Sequence, residues 1–150
     1  MSTDSPSAAD HLPESYTLEP SVPTPETFVA LRDAAGMAPR SLEAAERGLP
    51  NSLFGVCVRH EATDEVVAMG RIVGDGGAVY QLSDMAVHPD HQGQGLGTAI
   101  MVRLEAFLEA TAPETAYVNL IADVDGFYER FGYEECRPNS KGMYRHVGSD

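Results

Sequence analysis

Apolar positions along this chain recur first at helical spacing, then at strand spacing, then at helical spacing again. Tyr16 opens a short strand candidate, YTLEP. In TPETFVALRDAAG, Phe28 and Leu31 mark an inner face, Thr24 is placed to cap, Pro25 takes the first helical position and Gly36 ends the run. A second short helix is predicted from Ser41 to Arg47, with Ser41 capping and Gly48 and Pro50 stopping it. The period then becomes two. SLFGVCVRH, the polar turn EATDE and VVAMGRIV predict a hairpin, and GDGG turns the chain into a further strand, AVYQLSDMAV. Leu96, Ile100, Leu104, Phe107 and Leu108 return to helical spacing, and Pro113 follows them. A fifth strand, AYVNLIA, leads to a short helix around DGFYERFG, and YEECR and GMYRHV are expected to form a closing pair of strands. The order predicts one mixed α/β domain over residues 15–150, its sheet predominantly antiparallel, with a crossover helix between strands four and five.

Composition narrows the partners. The 150 residues are 43% hydrophobic, enough for one core, and 23 acidic against 10 basic residues leave a formal charge of −13. Nucleic acid and anionic membrane are repelled by such a surface, and a cationic or neutral partner fits it. Cys57 and Cys136 are too few for a disulfide framework, and Cys57, within the apolar run FGVCV, reads as a small buried hydrophobe. A reduced, cytoplasmic setting is expected. Residues 1–14 carry acids and prolines without the basic and apolar regions of a signal peptide and are expected to be a disordered tail. No segment approaches the roughly 20 apolar residues of a membrane helix.

The chemistry concentrates in MAVHPDHQGQGLGTAIM, where Gly93, Gly95 and Gly97 stand at the mouth of a helix. Glycines at a strand-to-helix junction let main-chain N–H groups converge, and the helix dipole adds positive character there, which suits a phosphate or pyrophosphate. A P-loop needs Lys and then Ser or Thr after its last glycine, but Thr98 and Ala99 follow Gly97. A dinucleotide fingerprint needs a glycine where Thr98 stands, and a surrounding βαβ unit of parallel strands. His88 and His91 raise the question of a metal or a base, but their place in the loop entering this segment reads as a solvated turn, and no metal is expected.

VHPDHQGQGLG resembles the signature of the GNAT superfamily of acyl-CoA-dependent N-acyltransferases, with Val87, Pro89, Gln92, Gly95 and Gly97 in the signature positions. The element order from Tyr16 to Val147 resembles that fold too. The resemblance implies an N-acetyltransferase whose fourth and fifth strands splay apart. Acetyl-CoA would be the acyl donor, its pyrophosphate held by the amides of Gln92, Gly93, Gln94, Gly95, Leu96 and Gly97 with Thr98 close behind. Met85, Ala86 and Val87 would pair with the pantetheine arm, and the Met85 amide would polarise the thioester carbonyl. GFYERFGYEE looks like the family's fourth helix, which makes Tyr128 the acid that protonates the departing thiolate and a cofactor contact. An amphipathic core aromatic is the other reading of Tyr128.

A neutral amine must lose a proton, and Asp84, the one charged residue within YQLSDMAV, is the candidate base, since a buried unpaired carboxylate has a raised pKa. The competing reading pairs Asp84 with a loop amide or with Arg71 on the adjoining strand. The acceptor is expected to be a primary amine of a small molecule or peptide, cationic if the surface charge guides it. A homodimer is compatible with the family, and a non-catalytic acyl-CoA-binding sensor is the alternative function. Lys141 alone beside nine arginines, with the acidic balance, reads either as genome base composition or as adaptation to high salt. Denaturant unfolding along a potassium chloride series separates these: adaptation to salt requires stability to rise with concentration, and a flat response removes it.

Overall fold

The computed structural model describes residues 12–148. Its elements are β1 (Tyr16–Glu19), α1 (Pro25–Ala34), α2 (Leu42–Gly48), β2 (Phe54–His60), β3 (Glu65–Gly74), β4 (Val79–Val87), α3 (Leu96–Thr111) and β5 (Tyr117–Asn119). Short 3₁₀ turns occupy Leu49–Asn51, Pro89–His91 and Tyr128–Phe131. The sheet has five strands in the order β1-β2-β3-β4-β5, antiparallel throughout except for the parallel β4–β5 pair. Most of the expected disordered tail, residues 1–11, lies outside the described residues. The rest of it belongs to the domain: Leu12 packs on the core and the Pro13 carbonyl accepts from Tyr16 N at 3.1 Å.

Local chemistry sets the first two helices. Thr24 Oγ1 accepts from Thr27 N at 3.2 Å and Ser41 Oγ from Ala44 N at 3.0 Å, each satisfying one of the orphan amides of a first turn. Phe28 and Leu31 are buried as their spacing requires, and with Ala45 and Leu49 they cover one face of the sheet over Cys57, Met69 and Ala86. On the other face Leu96, Ile100 and Leu104 of α3 pack against Val56, Val58, Ile72 and Leu82. Truncating one of these fully buried leucines to alanine costs about 2–5 kcal/mol in comparable cores.

A bulge in β4 decides how these two layers meet. Arg71 pairs with Ser83 and Met69 with Ala86, so Gly70 alone opposes both Asp84 and Met85. The extra residue reverses the parity of the strand: Tyr80 and Leu82 enter the α3 core, Met85 packs there too, and Ala86 enters the α1 core. Asp84 takes the turn in the left-handed region at φ +62°, which costs a non-glycine residue about 1–2 kcal/mol. Its carboxylate receives Arg32 Nη1 at 2.5 Å and Arg71 Nε at 2.6 Å. Arg32, on the inner face of α1, also donates Nε and Nη2 to the Ala38 carbonyl, and Arg71 Nη1 donates to Ser52 Oγ. Each guanidinium also lies over the Phe28 ring.

On its other side β4 is only partly paired. β5 pairs with β4 only from Val79 to Gln81, closed by Gln81 Nε2 donating to Asn119 Oδ1 at 3.0 Å, and beyond Gln81 the two strands part. β5 is accordingly shorter than the expected AYVNLIA. The expected closing strands YEECR and GMYRHV do not form: no strand is found among the described residues after Asn119. An alternating pattern becomes a strand only when an edge accepts its hydrogen bonds, and neither segment is paired to the sheet here.

Asn tolerates the left-handed region as Asp does, so Asp84→Asn removes the charge while sparing the backbone. It leaves two buried guanidiniums uncompensated and is expected to lower unfolding stability by about 3–5 kcal/mol, read from urea midpoints. A change below about 1 kcal/mol would mean that the two ion pairs do not hold the bulge.

Candidate active site

The loop from β4 to α3 has a backbone shape that can receive an anion. Gln92 Nε2 donates back to the Val87 carbonyl at 3.2 Å, tying the loop to the end of β4. Gly93 and Gly95 take φ of +79° and +81°, a region where a Cβ is strained, and Gln92 through Gly95 are exposed. Gly95 is the N-cap of α3 and supplies no side-chain oxygen, so the first-turn amides of α3 have no side-chain cap and face the loop. Leu96 can offer a ligand only its amide, because its side chain lies in the core.

A cation that sequence reasoning missed stands beside this loop. Arg130 Nη2 donates to Thr98 Oγ1 at 3.2 Å, and its guanidinium lies 5.0 Å from the Phe127 ring centroid and 5.6 Å from that of Phe131. A Cβ on Gly97 would sit 3.5 Å from Phe127 Cζ, so Gly97 is where the turn carrying Tyr128 closes on α3. Glycine loop and tyrosine turn, about 30 residues apart in sequence, thereby lie side by side. The only hint in the sequence was an arginine two residues after Tyr128.

Tyr128 is buried, sits edge-on to Phe127 with ring centroids 5.0 Å apart, and lines an open cleft of about 1160 Å³ between α3, β5 and residues 133–144. Burial, and next the Asp123 carboxylate, push its phenol above the ordinary value, so the proton stays on at neutral pH. Tyr133 is different in kind: it donates to Glu105 at 2.5 Å and serves packing. Met85 sits within the bulge, and Val87 ends the stretch of β4 that β5 leaves unpaired, with Ala86 buried between them.

Asp84 is not the lone carboxylate that its strand suggested. It was expected as a base because it looked like a lone carboxylate in an apolar strand, and it is instead held by two arginines, one oxygen to each. Arg71 was weighed as a partner; Arg32, from a helix 52 residues earlier, was not. His88 accepts from Asp90 N within a partly exposed turn, while His91 is more than a solvated turn residue: its Nδ1 lies 2.7 Å from Tyr16 Oη and its ring 4.7 Å from that of His60, tying the loop entrance to β1 and β2. Among the described residues no three His, Cys, Asp or Glu side chains converge as metal ligands would. Cys57 lies in the core, where burial pushes its thiol up to about 12, and Cys136 is exposed.

Residues 50–135 match the family model described as the acetyltransferase (GNAT) domain. A crystal structure of a probable acetyltransferase of unknown function from methicillin-resistant Staphylococcus aureus is 42% identical, covers 87% of this chain and 98% of its own, and superposes with a TM-score of 0.83. A GNAT-family acetyltransferase from Streptococcus pneumoniae is 26% identical over 89% of this chain and 99% of its own, with a TM-score of 0.69. An uncharacterized N-acetyltransferase, ycf52, of Pyropia yezoensis is 28% identical over 116 residues, 76% of this chain and 67% of that protein. The chain therefore belongs to the GNAT acetyltransferase family.

Gly95→Val would force a β-branched residue into the left-handed cap, at about 1–2 kcal/mol, and crowd the cradle. Acetyl-CoA affinity measured by calorimetry is expected to fall at least about tenfold while the circular dichroism spectrum is unchanged. Unchanged affinity would take the phosphates away from this loop.

Proposed function

We propose that this protein transfers the acetyl group of acetyl-CoA to a primary amine of a small molecule or peptide, by direct attack in a ternary complex. The observation that carries this reading is the junction at α3. Arg130 on Thr98 and Phe127 against Gly97 bring Tyr128 and the glycine loop together beside the open end of the β4–β5 pair. Family membership supports acyl transfer, and the residues fit the donor. The loop amides of Gln92 to Gly97 hold the pyrophosphate, with Thr98 and Arg130 at its edge, and Met85 to Val87 present a strand edge to the pantetheine arm.

In the chemical step the amine nitrogen forms a bond to the thioester carbonyl carbon while the Met85 amide stabilises the developing oxyanion. The carbon–sulfur bond then breaks, and Tyr128 donates its proton to the leaving thiolate. The proton shed by the amine passes to water, which also restores the phenol. Asp84, occupied by Arg32 and Arg71, is assigned to holding the bulge that presents Met85 rather than to proton transfer. No thiol takes part, in keeping with the buried, protonated Cys57.

The acceptor is proposed to be a cationic amine, since Glu109, Asp125, Glu129, Glu134 and Glu135 line the cleft against Arg137 and Lys141. Free thiols at Cys57 and Cys136 support a cytoplasmic setting, and the net charge of −13 disfavours nucleic acid and anionic membrane as partners. No helix of the described residues is long and apolar enough to cross a membrane.

Thiol release from acetyl-CoA against a panel of amines tests the activity directly: a non-catalytic sensor would bind the donor and never turn over. On the best acceptor, Tyr128→Phe is expected to lower kcat about 10²- to 10⁴-fold with little change in the KM for acetyl-CoA. An unaltered kcat would clear Tyr128 of the acid role.

A further inference from the structure

A second pocket lies on the face of the sheet opposite α3, among α1, α2 and β3, and shares no residue with the cleft that Tyr128 lines. Its volume is about 120 Å³. The buried side chains Phe28, Ala45 and Leu49 form its floor, Ala44 stands at its rim, and its two polar walls are Arg40 and Arg71. No acidic side chain lines it, although the chain carries a net charge of −13.

Positive charge gathers at this point without a match. Asp84 is shared between Arg32 and Arg71, so one negative charge faces two positive ones. Arg40 adds a third and makes no ion pair among the described residues. Its place follows from Arg32, whose Nε and Nη2 both donate to the Ala38 carbonyl and so fix the turn between the two helices. Burial first, and then the Arg40 and Arg71 charges, hold the Arg32 guanidinium below the usual arginine value against the pull of Asp84.

Arg71 retains a free donor. Its Nε is on Asp84 and its Nη1 on Ser52 Oγ at 3.0 Å, with the Gly48 carbonyl at 3.4 Å, while Nη2 has no hydrogen-bond partner among the described residues. No buried side-chain nitrogen or oxygen among these residues lacks a partner, so Nη2 is reached from outside. The Phe28 ring backs the guanidinium, its centroid 5.6 Å from Cζ. Across the pocket Arg40 donates only Nη1, to the Pro39 carbonyl, and is otherwise exposed. We propose that this pocket binds the carboxylate of a small molecule between Arg40 and Arg71, with a short apolar stem on Phe28, Ala45 and Leu49. Charge-assisted bonds from guanidinium to carboxylate are among the stronger hydrogen bonds, and the aromatic backing keeps the Arg71 plane fixed. A monoanion suits the pocket better than a phosphate, because the remaining walls are aliphatic and bring no side-chain donor for a second charge. An occupant would neutralise the excess charge beside Asp84, one residue from Met85. The carboxylate belongs either to the amine acceptor or to a separate small acid. Its binding does not depend on the acetyl-transfer reading.

Titration of the isotope-labelled full chain with sodium propionate at constant ionic strength, followed by NMR, tests the site. Saturable shifts are expected at the Arg71 side-chain Nε–H and the Ala44 and Ala45 amides, with a Kd on the order of millimolar for so small a ligand. Arg40→Gln, at an exposed position, is expected to raise that Kd at least about tenfold with the urea midpoint unchanged, and Ala44→Leu, which fills the pocket and keeps both arginines, to do the same. The absence of saturable shifts overturns the proposal, as does wild-type affinity in Arg40→Gln. Equal binding of propionamide, which keeps the stem and lacks the charge, or tighter binding of inorganic phosphate, also overturns it. Thiol-release assays then separate the two sources: propionate competes with the amine if the carboxylate belongs to the acceptor, and alters kcat without competing if a separate acid binds.

Discussion

The architecture turns on one carboxylate. Asp84 sits in a left-handed conformation within a strand, and without compensation that residue would relax and carry the β4 bulge with it. Two guanidiniums, Arg32 from α1 and Arg71 from β3, are fixed on its two oxygens, so a helix, two strands and the loop at Ala38 all depend on the same charge. Buried ion pairs are weak sources of net stability but strict about geometry, because a displaced partner is left charged and dry. Here the geometry they enforce is the parity change of β4, which sends Met85 to the α3 core and Ala86 to the α1 core.

The loop before α3 offers an anion a local setting unlike the strongly acidic chain as a whole. Net charge governs the approach from a distance, but fields from exposed charges fade over about 8 Å at physiological salt. Within that range the local groups decide. The first turn of α3, open at Gly95, supplies amides and the helix dipole, and Arg130 adds a full positive charge held against two aromatic rings. Glycines at positions 93 and 95 are needed because the backbone must enter the left-handed region twice within three residues.

Much of this was legible in the sequence. Caps at Thr24 and Ser41, the inner face of α1 at Phe28 and Leu31, four strands and the α3 stripe are local patterns, and local patterns survive into the fold. The glycine loop was equally legible, since its function rests on the conformations of consecutive residues. Arg32 was not, because an arginine on an amphipathic helix ordinarily faces water, and nothing near it in sequence says that a carboxylate 52 residues later will face it. Arg130 was hidden for the same reason, its partner Thr98 being 32 residues away. The lone carboxylate read at Asp84 proved to be paired: reading one strand alone, an acid looks unpaired when its partners lie on other elements. YEECR and GMYRHV have strand-like patterns, but a pattern does not by itself pair a segment with the sheet.

The sequence by itself determined the family, most of the element order and the backbone shape of the glycine loop, because each is written in local spacing along the chain. Tertiary structure alone decided which charges meet, where β4 and β5 part and which side chains stand beside the cradle. Those outcomes depend on burial and on the parity of a bulged strand. Both are properties of the packed sheet, since the cost of an unpaired charge exists only once water has been excluded from it.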